Sequence, residues 1–315
     1  MHYRTLLLLL LCVVSLKATK IEDQLAKDAY LATVNASIVF TSQDGLSSGV
    51  YRFTHLDTDM RMYNLPLRFH FDRLSEDTNL FVMTDMGYSD TRHEGEVEDN
   101  TTLLHYYNRL QTYVVGLGGG LRYHLSEHSN LLFGGELLYS RIGISAREDS
   151  LIDDSTVVNF FRGDFSENYS YKLLAEYFYE RNIRGHDIYA KFNYKLYKTL
   201  SEFKITELVE GIIDDLGSLQ SQTSIASIMI GYETAPLYHY HEMHLTLEPY
   251  VKANYIWGDL AEVGAINGYG TAGMSLYWNT PEKAVYIYRY FIEPSISKGY
   301  GLEGVNLSLG FSLDF

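Results

Sequence analysis

The sequence predicts an all-β fold, a transmembrane antiparallel up-and-down β-barrel of about 12 strands. Three observations predict it. Apolar and polar residues alternate along many segments. The connections between those segments are short and long by turns. The face opposite the apolar one carries too many Lys, Arg and Glu residues to be the dry core of a soluble barrel.

Composition narrows the classes first. The chain has 315 residues, with 40 Asp and Glu against 25 Lys and Arg. A formal charge of −15 argues against nucleic acid as a partner. The apolar fraction of 46% is not gathered into the runs of roughly 20 residues that a helical membrane bundle needs. Aromatics at 14% argue against intrinsic disorder. The 28 tyrosines are more than an acidic soluble enzyme needs, and they call for another explanation. No Walker A motif occurs, and no cofactor is expected.

Residues 1–18 read as a secretory signal. His2 and Arg4 form a polar start, Leu6 to Val14 an apolar core too short to span a bilayer, and Ala18 the last residue before cleavage. Leu16 stands where a small residue is usual. Cleavage there removes Cys12, the only cysteine, which excludes disulfides, thiolate zinc sites and a cysteine nucleophile from the remainder. Residues 19–31 follow as a short N-terminal segment, and 32–315 as the barrel.

The clearest strand is the last. In GVNLSLGFSLDF, Val305, Leu307, Leu309, Phe311, Leu313 and Phe315 share one face, and Asn306, Ser308, Gly310, Ser312 and Asp314 the other. Upstream, Tyr63, Leu65, Leu67, Phe69 and Phe71 oppose Arg68, His70 and Asp72. Tyr113, Val115, Leu117, Leu121 and Tyr123 alternate with Gly116, Gly118, Gly120, Arg122 and His124. Glycines inside a strand relieve crowding. Tyr169, Tyr171, Leu173, Ala175, Tyr177 and Tyr179 oppose Ser170, Lys172 and Glu176. Phe192, Tyr194 and Leu196 oppose Lys191, Asn193 and Lys195. Leu245, Leu247, Val251, Ala253, Tyr255 and Trp257 oppose Thr246, Glu248, Lys252 and Asn254.

Strands are expected near 32–40, 61–74, 79–89, 110–125, 130–146, 168–181, 186–198, 222–235, 243–257, 267–279, 284–297 and 304–315. Val50–Leu56 could extend either neighbour. LSEDT, SEHS, ERNIR, APLYHYH and NTPEK are short connections on one side. Longer loops at 41–60, 90–109, 147–167 and 199–221 lie on the other. That asymmetry suits a barrel with short periplasmic turns, and an even strand count puts both termini on that side.

These features together resemble Gram-negative outer-membrane β-barrels. The resemblance implies an outer-membrane location among lipid and lipopolysaccharide. It implies that Leu309, Phe311, Leu313 and Phe315 form the signal read by the barrel-assembly machinery. Size and strand count are similar to autotransporter translocator barrels. The short stretch between Ala18 and the first strand leaves no room for a passenger, which points to a solitary autotransporter-like barrel. Its implied role is structural, in the envelope or in surface interaction, without enzymatic chemistry.

The lumen-facing charges are the candidate functional residues. Basic ones are Arg68, Arg122, Lys172, Lys191, Lys195, Lys252 and Arg289; acidic ones are Asp72, Glu136, Glu176, Glu233, Glu248 and Glu293. The signs nearly balance, so a salt-bridged, mostly filled interior is expected, with a narrow porin-like channel for small polar solutes as the alternative. KIEDQLAKDAYL is either a helical plug in the lumen or a periplasmic tail.

Acid gathers in the long loops. Asp90, Glu94, Glu96, Glu98 and Asp99 form one group; Glu148, Asp149, Asp153 and Asp154 a second; Glu202, Glu207, Glu210, Asp214 and Asp215 a third. Such loops attract divalent cations but lack EF-hand spacing. The stretch from Leu200 to Leu219 is expected as a helix over the mouth or as outward strand extensions. Two remote chemical readings remain. His128 beside Ser129 would suggest an outer-membrane phospholipase-like hydrolase, although neighbouring residues on a tight turn point apart. His239, His241 and His244 would suggest a metal, although an interfacial girdle with Tyr238 and Tyr240 fits them better.

Overall fold

The computed structural model describes residues 36–40, 47–54, 58–75, 77–99, 102–150, 157–203, 218–264, 266–280 and 287–313. Its strands, in chain order, are β1 (Ser47–Phe53), β2 (Thr58–Ser75), β3 (Thr78–Asp99), β4 (Thr102–Ser126) and β5 (Ser129–Ser150). Next come β6 (Val157–Ile183), β7 (His186–Phe203), β8 (Ser218–Glu233) and β9 (Tyr238–Tyr240). The last four are β10 (Met243–Gly258), β11 (Gly268–Asn279), β12 (Ile287–Gly299) and β13 (Leu302–Leu313). A short helix, Asp259–Gly264, joins β10 to β11.

Each strand pairs antiparallel with its neighbour, and the sheet closes on itself. Val305 of β13 stands opposite Val50 of β1, and β10 pairs with both β8 and β11. Pro236 lacks the N–H a ladder needs and interrupts the wall after β8. Thr234 and Leu237 still donate to the carbonyls of Leu247 and Leu245, at 2.9 and 2.8 Å, so β9 continues the same stave. Twelve staves therefore form the closed ring.

The expected number of strands holds, but the first of them moves. Residues 36–40, read as part of a strand, form a helical turn, and β1 is the wall strand in their place. The physical reason is burial. Ile38, Val39 and Phe40 are three successive apolar residues, all at most 3% exposed. A wall strand must put alternate residues outside, as β1 does with Val50 out and Tyr51 in. Residues 32–35 and the segment 19–31 lie outside the described residues, as does the signal 1–18.

The long connections also change. Most of 90–109 and 147–167 is strand, because β3 to β6 run for 22, 25, 22 and 27 residues. These four staves rise far beyond β1, with 7 residues, and define a tall end of the barrel opposite the short-turn end. Asp90, Glu94, Glu96, Glu98 and Asp99 are thus residues of β3, and Glu148 and Asp149 of β5, not of loops. The strand-extension reading holds at 200–203 and 218–219, and 204–217 lies outside the described residues. The turns at the other end are tight. Arg184 and Gly185 both have positive φ, 57° and 84°, as a two-residue turn between twisted strands requires.

Polarity across the wall is inverted relative to a soluble barrel. Leu117, Leu137 and Ile296 are 64, 73 and 63% exposed on the outside, while Asp85, Glu136 and Lys172 are 4, 3 and 3% exposed within. Only an apolar surround makes that arrangement favourable. The outward tyrosines mark its limits. Tyr63, Tyr88, Tyr113, Tyr139, Tyr169 and Tyr255 ring the tall side; Tyr123, Tyr177, Tyr179 and Tyr290 ring the turn side. These are the two belts where amphipathic rings meet headgroups.

Inside, large rings are seated on glycines of the adjacent strand. Tyr189 faces Gly231, Tyr250 faces Gly273, Tyr51 faces Gly304, Phe291 faces Gly310 and Phe81 faces Gly120. At each of these glycines an added Cβ would overlap the partner ring. The Gly116–Gly120 run does relieve crowding, since Gly116 and Gly118 lie under Glu136. Gly231→Val is expected to displace the Tyr189 ring and lower the unfolding free energy by about 1–3 kcal/mol. Urea titration followed by the mobility difference between folded and boiled protein measures it, and an unchanged midpoint would contradict the pairing.

Candidate functional site: the barrel lumen

Lys172 sits at the middle of the lumen. Its ammonium is 2.6 Å from Asp85 Oδ2 and 2.5 Å from Glu136 Oε2. The contact to Asp85 is a hydrogen bond, and that to Glu136 an ion pair. Glu136 and Lys172 face each other across β5 and β6, and Asp85 reaches them from β3. Charges so fully removed from water persist only when paired.

Toward the short-turn end, carboxylates and phenols tie together staves that are not neighbours. Tyr189 of β7 donates to Glu248 of β10 at 2.7 Å, and Tyr250 of β10 donates to Glu293 of β12 at 2.7 Å. Ser275 donates to the other Glu293 oxygen at 2.8 Å. Arg289 of β12 reaches Glu233 of β8 at 2.9 Å and Asn279 at 2.7 Å, with its guanidinium 4.2 Å from the Tyr277 ring centre. Thr246 donates to the same Glu233 oxygen at 2.6 Å.

The remaining candidates occupy the wall of β2 to β7 and β10. Lys191 pairs with Glu176 at 2.9 Å. Arg68 lies over the Phe81 ring at 5.4 Å. Arg122, Lys195 and Lys252 occupy inward positions of β4, β7 and β10. The Asp72 side chain lies outside the described ones. Of the assembly-signal residues, Leu309 faces outward and is 46% exposed. Phe311 and Leu313 are placed by backbone alone, and Phe315 lies outside the described residues.

The tall half of the lumen is closed by apolar packing. Phe40, in the helical turn, lies 5.2 Å from the Tyr51 ring, 5.7 Å from Phe53 and 6.1 Å from Tyr269, measured between centroids. Ile38, Val39, Met60, Met62, Tyr197, Ile256 and Leu302 join the same cluster. The helical turn is thus a stopper resting on inward side chains of β1, β2, β7, β10, β11 and β13.

Neither chemical constellation is assembled. Ser129 exchanges a hydrogen bond with Ser126 at 2.7 Å, and the His128 ring instead lies against Tyr179. The rings of His239 and His244 are 6.1 Å apart, while His241 turns away onto Tyr240 in a positive-φ turn. Among the described residues, no three His, Cys, Asp or Glu side chains converge as metal ligands.

No protein-family model matches the chain, and no curated protein matches it in sequence. Solved structures do match. The β domain of the Bordetella autotransporter BrkA superimposes with a TM-score of 0.58 at 8% identity, over 86% of this chain and 97% of that one. The translocator domain of NalP from Neisseria meningitidis gives 0.56 at 14% identity, over 92% and 100%. The transport unit of AIDA-I from Escherichia coli gives 0.54 at 11% identity, over 92% and 99%. The fold is that of autotransporter β-barrels.

Two groups of lumen residues in this autotransporter-like barrel escaped the sequence pattern. Asp85 lies on β3, whose inward Phe81 and Met83 are as apolar as its outward Leu80 and Met86, so no alternation marks it. The inward tyrosines Tyr189, Tyr250 and Tyr277 look like girdle residues until their carboxylate partners are seen. Replacing Lys172 by Met strands two buried carboxylates and is expected to cost about 3–5 kcal/mol of unfolding free energy. Adding Asp85→Asn and Glu136→Gln to that variant should recover most of the loss in the same urea titration. A triple variant no better than Lys172→Met would show that the charges themselves are not the constraint.

Proposed function

We propose that this chain is an integral outer-membrane β-barrel of the autotransporter-like kind with a closed lumen. Its role is structural, in the envelope or at the cell surface, and not enzymatic. The single observation that carries this reading is the stopper at 36–40 above a lumen braced by ion pairs and phenol–carboxylate bonds. An apolar cluster in one half and braced charges in the other favour a filled interior over an open channel. The apolar belt, its tyrosine borders and the shared barrel fold support residence in an outer membrane. Export through the 1–18 signal and recognition of the C-terminal Phe315 by the barrel-assembly machinery belong to the same reading.

The narrow channel is the competing assignment, and the charged lower lumen favours it if the stopper leaves. Planar-bilayer recording separates the two. The intact chain is expected to give no reproducible conductance steps, and deletion of 36–40 is expected to create them. Steps of one size from the intact chain would replace the closed barrel with a narrow channel for small polar solutes. A silent deletion variant would show that the braced charges alone obstruct the lumen.

A further inference from the structure

One charged cluster faces outward. On β3, Ser89 and Thr91 take the lumen positions, so Asp90 between them points away from the barrel. It is nevertheless only 5% exposed, because two arginines cover it. Arg109 donates from Nε to Oδ1 at 2.7 Å and from Nη2 to Oδ2 at 3.0 Å. Arg92 donates from Nη2 and Nε to Oδ2 at 2.8 and 3.2 Å. The one carboxylate thus fixes the position of both guanidinium groups.

Three further facts give the cluster a direction. Arg92 and Arg109 are direct cross-strand partners, an arrangement of like charges that is unfavourable on its own. Asp90 offsets one charge of that pair, and Arg61, opposite Asp90 on β2, adds another. The local balance is therefore cationic on a chain whose formal charge is −15. Asp59 stands opposite both Arg92 and Arg52 and lies 4.0 Å from Arg52. Four arginines, Arg52, Arg61, Arg92 and Arg109, thus face two carboxylates, Asp59 and Asp90, while Arg141 stands opposite Glu167. The arginine side chains also stay accessible, at 37% for Arg92 and 34% for Arg109.

Depth identifies the partner. Tyr63, Tyr88 and Tyr113 lie two residues nearer the membrane centre than Arg61, Asp90 and Gln111 on the same three strands. Their rings stack in a row, 6.2 and 5.0 Å apart, and Gln111 donates to the Tyr88 hydroxyl at 2.8 Å. Such a row lies where hydrocarbon ends, so the guanidinium groups sit in the headgroup layer just outside it. There the anion at hand is a lipid phosphate, and a planar guanidinium fork matches its oxygens.

We propose that Arg61, Arg92 and Arg109, arranged around Asp90 on the outward face of β2–β4, bind a phosphate of a phosphorylated outer-leaflet lipid. The site rests on the outer-membrane reading above and adds a specific lipid contact to it. The binding step is non-covalent: phosphate oxygens accept hydrogen bonds from guanidinium N–H groups.

The test uses the full chain folded in detergent and mixed with lipopolysaccharide, with the same lipid after enzymatic dephosphorylation, or with inorganic phosphate. Bound lipid is measured by native mass spectrometry. Wild type is expected to retain the phosphorylated lipid. Arg61→Gln/Arg92→Gln/Arg109→Gln is expected to retain it about tenfold less, the order that losing charge-assisted hydrogen bonds implies. Arg61→Glu alone, at an exposed position, should still weaken retention, which keeps the test valid if the triple variant does not fold. Equal retention of phosphorylated and dephosphorylated lipid, or equal retention by wild type and the folded variants, overturns the site. Displacement of the lipid by equimolar inorganic phosphate overturns the lipid as its occupant. A wild-type chain that forms no heat-modifiable barrel in lipid overturns the outer-membrane reading as well, whereas a folded barrel without discrimination overturns the phosphate site alone.

Discussion

A sheet surrounded by hydrocarbon cannot leave backbone N–H and C=O groups at an open edge, because lipid offers them nothing and each costs several kcal/mol. The pairing of β13 with β1 removes that edge, and the other structural features follow from it. Closure fixes which residue of each pair faces lipid and which faces the interior. It makes β1 necessary despite its shortness. It also forces the N-terminal apolar run at 36–40 to be sheltered inside the ring, where it fills the tall half of the lumen.

Closure also determines the interior chemistry. A twelve-stave ring is too narrow to hydrate a dozen charged side chains separately, so they satisfy one another. Lys172 draws together β3, β5 and β6, Tyr189 and Glu248 link β7 to β10, and Arg289 and Glu233 link β12 to β8. These links act as spokes holding the barrel round. The rings seated on opposing glycines do the same in apolar form.

Much of this was legible in the sequence, and the exceptions have physical causes. Alternation in Leu245 to Trp257 and in Tyr169 to Tyr179 assigned both faces correctly, because those strands have one polar and one apolar side. Glu136, Lys172, Glu176, Glu233 and Glu248 are buried polar residues at positions that the same alternation puts opposite the apolar face. Asp85 is not so marked, because β3 is apolar on both faces between the short-turn end and Asp85. Residues 36–40 read as wall because β-branched and aromatic residues favour strands, while the shelter that makes them helical comes from distant staves. The acidic stretch at 90–99 looked like loop because charge-rich segments usually are, whereas here the hairpin continues beyond the bilayer. The arginines around Asp90 were invisible as a group, since only register brings Arg61, Arg92 and Arg109 side by side.

The central claim is the inverted wall: lipid outside, braced polar side chains within. Single cysteines placed along β5 in a Cys12→Ser background, labelled with a small fluorophore and reconstituted with brominated lipid, measure it most directly. Phe133, Leu137 and Tyr139 positions should be quenched by the lipid, and Leu132, Leu138 and Ser140 positions should not. Quenching that rises smoothly along the strand without alternating from residue to residue would contradict the account.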